Sequence, residues 1–102
     1  MVVKILTKEA VLGEIEKSAD IIKRYNVRRI GVFGSVVRGQ AGEESDLDFL
    51  VEFSEKTFDN YFGLKFFLED LFERKVDLVI AETVKSRLKP YIFAEVEYAT
   101  GF

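Results

Sequence analysis

The chain has 102 residues, 48% hydrophobic and 32% charged, a composition typical of one globular domain over residues 1–102. It contains neither cysteine nor histidine, which excludes disulfides and thiolate metal sites and removes the usual general base. The formal net charge of -3 argues against direct nucleic-acid binding. Neither a signal peptide nor an apolar run of about 18 residues is visible, which predicts a cytoplasmic protein without a membrane segment.

The N-terminal part of the chain predicts an apolar lead-in followed by one amphipathic helix. Residues 2–6 form the lead-in, and Thr7 is a suitable N-cap for the helix. Apolar residues then recur at helical spacing to about Tyr25, and Asn26 is a suitable stop.

A short strand and a tight turn come next. Residues 29–33 are apolar in the middle and predict a strand, which the Gly34-Ser35 pair ends. Residues 36–39 have the length of a short helix whose N-terminus would face this turn.

The second predicted strand, over residues 46–53, alternates between an apolar face and a face that carries Asp46, Asp48, Leu50 and Glu52. Asp46 and Asp48 lie on one face, and the opposite face is expected to pack on helices. The residues of that apolar face are Leu47, Phe49, Val51 and Phe53.

The remaining segments predict a helix, a strand and a final helix. Apolar residues over 64–72 mark an amphipathic helix, and residues 76–80 mark a strand whose only charge is Asp77. Pro90 suits the first turn of a last helix over roughly residues 91–98. A cluster on the first of these helices is assigned to the core, although its excess over one helical face could mark a partner surface: Phe62, Phe66 and Phe67. The order of elements predicts a small α+β sheet with helices on one side.

The chemistry is concentrated in Gly34-Ser35, ten residues, and then Asp46 and Asp48. Two carboxylates on one strand face repel each other and lose hydration if covered, so a cation is needed to neutralise them. A Gly-Ser turn at a helix start offers backbone N–H groups to an anion. The pattern predicts a phosphate at the turn and a divalent metal at the aspartates.

Each of these residues also has a structural explanation. Asp46 could end a turn, Ser35 could cap the short helix, and Asp77 could be an outward carboxylate on an edge strand. Asp48 is harder to explain in this way, because an unpaired carboxylate in an apolar strand is costly. Arg38 could neutralise Asp48 as a structural ion pair, contact a phosphate or a partner, or be solvated.

Taken together, these segments resemble the nucleotidyltransferase superfamily, which includes DNA polymerase beta. More narrowly, they resemble the minimal nucleotidyltransferases (MNT), the antitoxins of HEPN–MNT toxin–antitoxin pairs. The segments that carry the resemblance are FGSVVRG at 33–39, SDLDFLV at 45–51, LEDLF at 68–72, KVDLV at 75–79 and EVEYA at 95–99.

The resemblance implies a small mixed sheet with helices packed on it and a role for each matching residue. It implies that Asp46 and Asp48 hold two magnesium ions, and that Asp77 shares one ion and helps to deprotonate the acceptor hydroxyl. The Gly34-Ser35 turn would contact the β- and γ-phosphates of ATP, and Arg38 is added as a candidate phosphate ligand. Metal ions at these carboxylates would explain how a chain without histidine performs the reaction.

The implied function is transfer of AMP from ATP to a hydroxyl, expected to be a tyrosine of a HEPN RNase toxin, within a hetero-oligomer. The alternative is a non-catalytic antitoxin that neutralises its partner by occlusion. The intact set of Ser35, Asp46, Asp48 and Asp77 favours the enzyme, because occlusion has no need for clustered carboxylates.

Overall fold

A four-stranded mixed sheet forms the centre of the computed structural model, which describes residues 6–42 and 45–102. β1 is antiparallel to both β2 and β4, whereas β2 and β3 run parallel. The predicted mixed sheet with helices is therefore confirmed; the lead-in over residues 2–5 lies outside the described residues. In the spatial order β3-β2-β1-β4, the strands are β1 (Val27–Phe33), β2 (Leu47–Phe53), β3 (Val76–Ile80) and β4 (Glu97–Tyr98).

Within the described residues, four helices accompany the sheet, and the first two replace the single N-terminal helix that the sequence predicted. The Thr7 hydroxyl accepts a hydrogen bond from the Ala10 N–H at 3.1 Å, which confirms the predicted cap. The helix breaks at Ser18, whose backbone leaves the helical conformation with ψ 12°. Serine has a lower helix propensity than alanine or leucine, because its side chain can hydrogen-bond to the nearby backbone in non-helical conformations. Asn26 ends this region in the left-handed conformation, with φ 60°. The helices are α1 (Lys8–Lys17), α2 (Ala19–Lys23), α3 (Phe58–Phe72) and α4 (Lys89–Glu95).

The main core lies between one face of the sheet and α1 to α3. The predicted apolar face of β2 is buried there, as are Val11, Ile15, Leu64 and Leu68. The assignment of Phe62 and Phe66 to the core is wrong, since they are 39% and 61% exposed. These two rings lie on the flank of α3 away from Leu64 and Leu68. No described helix is long and apolar enough to cross a membrane.

A smaller apolar cluster on the opposite face explains why the last helix is shorter than predicted. Ile92 and Val96 pack there against buried Leu50. α4 ends at Glu95, because Val96 is already extended with ψ 137°. Residues 97–98 then pair with β1 as β4, so the helix predicted to residue 98 is wrong at its C-terminal end.

Gly31 allows β4 to approach β1. A Cβ at Gly31 would lie 2.7 Å from the carbonyl oxygen of Glu97, closer than such contacts allow. Gly31→Ala should therefore lower the free energy of unfolding by about 1–3 kcal/mol in urea titration. Gly13→Ala is the matched control, because a Cβ there meets nothing within 4 Å and alanine favours α1 by about 0.5–1 kcal/mol. Equal stability of Gly31→Ala and the parent would contradict the close packing of β4.

Candidate active site

The sheet register brings Asp48 and Asp77 side by side. They are the second residues of the parallel strands β2 and β3, and they are direct partners in the register. Asp46 is exposed and lies immediately before β2. Asp77 is exposed and Asp48 is half-buried. The predicted carboxylates therefore lie at the edge of the sheet where β2 and β3 begin.

Asp48 is the aspartate whose ionised form is made unfavourable by its surroundings. Its pKa is raised to about 6, first by burial and then by the negative charges of Asp77 and Asp46. The charge of Glu95 raises this pKa further, whereas that of Arg38 lowers it. Asp48 is therefore a carboxylate whose charge the protein compensates only in part, as expected of a cation ligand.

The Gly34-Ser35 turn packs directly on Asp48. Phe33, the last residue of β1, is the register partner of Asp48, and a 3-10 turn over Gly34–Val36 follows. The helix predicted over residues 36–39 is thus wrong in position, because the turn begins at Gly34. Gly34 has φ 80°, and an added Cβ would overlap the Asp48 carboxylate. Only glycine meets both conditions, which is the reason for the turn at this site.

Arg38 is paired with Glu95 rather than with Asp48. Its Nη1 donates to Oε1 and Oε2 of Glu95 at 3.1 and 2.9 Å, and its Nε donates to Oε1 of Gln40 at 3.1 Å. The structural ion pair that the sequence suggested between Arg38 and Asp48 is therefore wrong, although the guanidinium still acts on Asp48 electrostatically.

Glu95 is the site residue that sequence reasoning missed. Its carboxylate also accepts a hydrogen bond from the N–H of Gly34, which is 61 positions away. No local pattern reports a contact over that distance. The only available signal was the segment EVEYA, whose resemblance did not single out Glu95.

A cavity of about 290 Å³ joins these groups. It opens beside the first residues of α4, where the Tyr91 side chain is 75% exposed. Its walls are Phe33, Gly34, Arg38, Asp48, Tyr91, Ile92 and Glu95.

These carboxylates fit a divalent metal whose coordination shell is completed by oxygens of a substrate. Within residues 6–42 and 45–102, no three acidic side chains converge closely enough to hold an ion unaided. Carboxylate oxygens are nevertheless the ligands that Mg²⁺ prefers, and it is commonly held by one or two carboxylates together with substrate phosphates. The partly uncompensated charge at Asp48 matches that mode of binding.

Comparison with known proteins places this site in a family. The model of the nucleotidyltransferase domain family matches residues 15–99, and the chain belongs to that family. It is 42% identical over 91 residues to the protein adenylyltransferase MntA of Thermococcus cleftensis, covering 88% of this chain and 90% of that protein.

Two solved structures extend the comparison. One, proposed to be a minimal nucleotidyltransferase, is 35% identical, has a TM-score of 0.77, and is covered over 95% of its chain and 90% of this one. The other is a tri-AMPylated Shewanella oneidensis HEPN toxin in complex with an MNT antitoxin, with a TM-score of 0.61 over 89% of this chain and 73% of that one. At 19% identity, this second likeness is one of fold.

The raised pKa of Asp48 predicts a pH-dependent gain in stability for Asp48→Asn. The folded protein holds the Asp48 proton more tightly than the unfolded chain does, at about 6 against 3.8. Ionised Asp48 therefore opposes folding above about pH 6, and this cost disappears as the pH falls below 3.8. Without metal, in EDTA, Asp48→Asn should be more stable than the parent at pH 7.5, by about 1 kcal/mol after allowance for solvent screening.

Urea unfolding at pH 7.5 and at pH 4.5 checks this prediction. The stability difference should shrink at the lower pH. Asp70→Asn, the same change at an exposed position of α3, is the matched control and should show no such gain. A less stable Asp48→Asn at pH 7.5 would mean that the Asp48 charge is fully compensated in the folded protein.

Proposed function

We propose that this chain is a protein adenylyltransferase that moves AMP from ATP to a hydroxyl group of a partner protein. The observation that carries the proposal is the pairing of Asp48 with Asp77 directly against the Gly34 turn. Asp48 lines a small cavity together with Gly34, and Asp77 is its neighbour on the next strand. Carboxylates for a cation therefore lie close to a backbone N–H for an anion, as a metal-bound nucleotide requires. The similarity to an archaeal protein adenylyltransferase supports the same activity.

The three aspartates have different proposed roles in the transfer of AMP. The acceptor oxygen attacks the α-phosphorus of ATP, the bond to the β-phosphate oxygen breaks, and pyrophosphate leaves. Asp46 and Asp48 would hold two magnesium ions, with Asp77 as a shared ligand. When bound, the ions stabilise the charge on the attacking and leaving oxygens. We assign to Asp77 the proton of the acceptor hydroxyl, and its exposure beside Asp48 supports this role.

The phosphates would be held by the other side of the cavity. Gly34 presents its N–H there, Ser35 is half-buried in the same turn, and Arg38 supplies a cation. A guanidinium and backbone N–H groups are strong donors to phosphate oxygens.

The proposed partner is a HEPN-type toxin whose tyrosine accepts AMP, in a cytoplasmic hetero-oligomer. The solved complex of an AMPylated HEPN toxin with an MNT antitoxin supports this choice of partner. Three rings along α3 also support assembly, because Phe58, Phe62 and Phe66 are exposed and stack at 5.8 and 6.0 Å between centroids.

Loss of the carboxylate pair should abolish AMP transfer. The parent protein, incubated with ATP, magnesium and the product of its neighbouring gene, should add the mass of AMP to that product. Asp46→Asn with Asp48→Asn should slow the addition by at least about 100-fold, because the charge on the reacting phosphate is no longer stabilised. Intact-mass spectrometry measures both, with Asp70→Asn as the control. Absence of any addition by the parent would count against the transferase.

The second candidate function, neutralisation by occlusion, is favoured by the exposed rings of α3 and is separable in cells. If AMP transfer neutralises the toxin, the Asp46→Asn, Asp48→Asn variant should fail to protect cells that express the partner. Colony counts at matched expression levels provide the measurement. Protection equal to that of the parent, together with a stable complex on size-exclusion chromatography, would establish occlusion instead.

A further inference from the structure

The carboxylate of Glu95 rests in the place where the proposed function puts a phosphate. It accepts from the backbone N–H of Gly34, and both of its oxygens accept from Nη1 of Arg38 at 3.1 and 2.9 Å. Gly34 and Arg38 are the same two donors that the proposed function assigns to the nucleotide. A carboxylate and a phosphate are both anionic oxygen acceptors, so one can replace the other on these donors.

The charge of Glu95 pairs with Arg38 but is unfavourable for Asp48. Glu95 adds a fourth negative charge next to Asp48, which already faces Asp46 and Asp77. A neutral acceptor would satisfy the Gly34 N–H without that repulsion. The charge is matched to the donors around it, the Gly34 N–H and the Arg38 guanidinium, which are equally suited to a phosphate.

We propose that Glu95 is a built-in competitor of the nucleotide: it occupies the phosphate position at Gly34 and Arg38 and must be displaced before ATP binds. This inference rests on the proposed function, because it identifies that position with the nucleotide phosphates. Glu95 thereby sets the affinity of the site for polyphosphates.

Displacement is possible without unfolding any element. The Glu95 side chain has three rotatable bonds and is 24% exposed, so rotation alone carries its carboxylate towards solvent. The arriving phosphate then takes over the Gly34 N–H and the Arg38 guanidinium, and neither donor is left unpaired. Arg38 is half exposed, so it can follow the phosphate as it binds.

The opposite role for Glu95 gives the opposite result. If Glu95 served to hold Arg38 in position, or to bind the metal, its removal would weaken nucleotide binding. The sign of the change in affinity therefore decides between competition and support.

Isothermal titration calorimetry of Glu95→Gln and Glu95→Ala tests the proposal. Two variants are used because glutamine retains an oxygen that can accept from Gly34, whereas alanine does not. Both should bind Mg·ATP and magnesium pyrophosphate about 5–10-fold more tightly than the parent, because a charge-assisted contact no longer has to be broken. Binding of adenosine, which has no phosphate, should not change.

Glu97→Gln is the matched control, since it removes the same charge two residues away from a pair with Lys8 at 2.6 Å. An equal gain in Glu97→Gln would overturn the proposal, because a general charge effect would then explain it. Equal or weaker binding of both phosphate ligands by the Glu95 variants would overturn it too. If the parent and the Glu95 variants all fail to bind Mg·ATP, the proposed function falls and the inference with it. If all bind Mg·ATP equally, only the inference falls.

Discussion

The structure depends on one crowded contact, the Asp48 carboxylate packed against the Gly34 turn. Burial and the charges of Asp77 and Asp46 make this carboxylate unfavourable when ionised. The β2–β3 register nevertheless fixes Asp48 beside Asp77, and the turn tolerates only glycine next to it. This unfavourable arrangement fits the proposed chemistry, in which a cation would neutralise the carboxylates.

The same electrostatics accounts for the opposite wall of the cavity. Among the described residues, Arg38 is the cation that lowers the pKa of Asp48, and its guanidinium is paired with Glu95. In the described chain the cavity thus contains a carboxylate whose charge is only partly compensated and a guanidinium that is already paired with Glu95. A metal-bound nucleotide would change both conditions together, because under the proposal the metal would neutralise the aspartates and the phosphates would replace Glu95. Nucleotide binding would then be an exchange of partners rather than an addition to an empty pocket.

Features encoded locally were predictable, and features created by tertiary contact were not. Strands β1 to β3, the alternation of β2 and the spacing of Asp46 and Asp48 follow from period-two patterning and short motifs. The break at Ser18 and the pairing of β4 with Gly31 depend on what the rest of the chain packs against, which no window of sequence reports. For the same reason the contact of Glu95 could not be predicted, because its partner Gly34 is 61 positions away. The family resemblance grouped Asp77 with Asp46 and Asp48, and the β2–β3 register sets Asp77 beside Asp48.

The central claim, that Asp48 awaits a cation, is tested most directly by counting the protons released when Mg·ATP binds. With a pKa of about 6, Asp48 is half protonated at pH 6, and a metal must expel that proton. Calorimetry at pH 6 in buffers of different ionisation enthalpy should show release of about half a proton per site, falling towards none at pH 8. Binding without proton release at pH 6, or release that persists in Asp48→Asn, would contradict the claim.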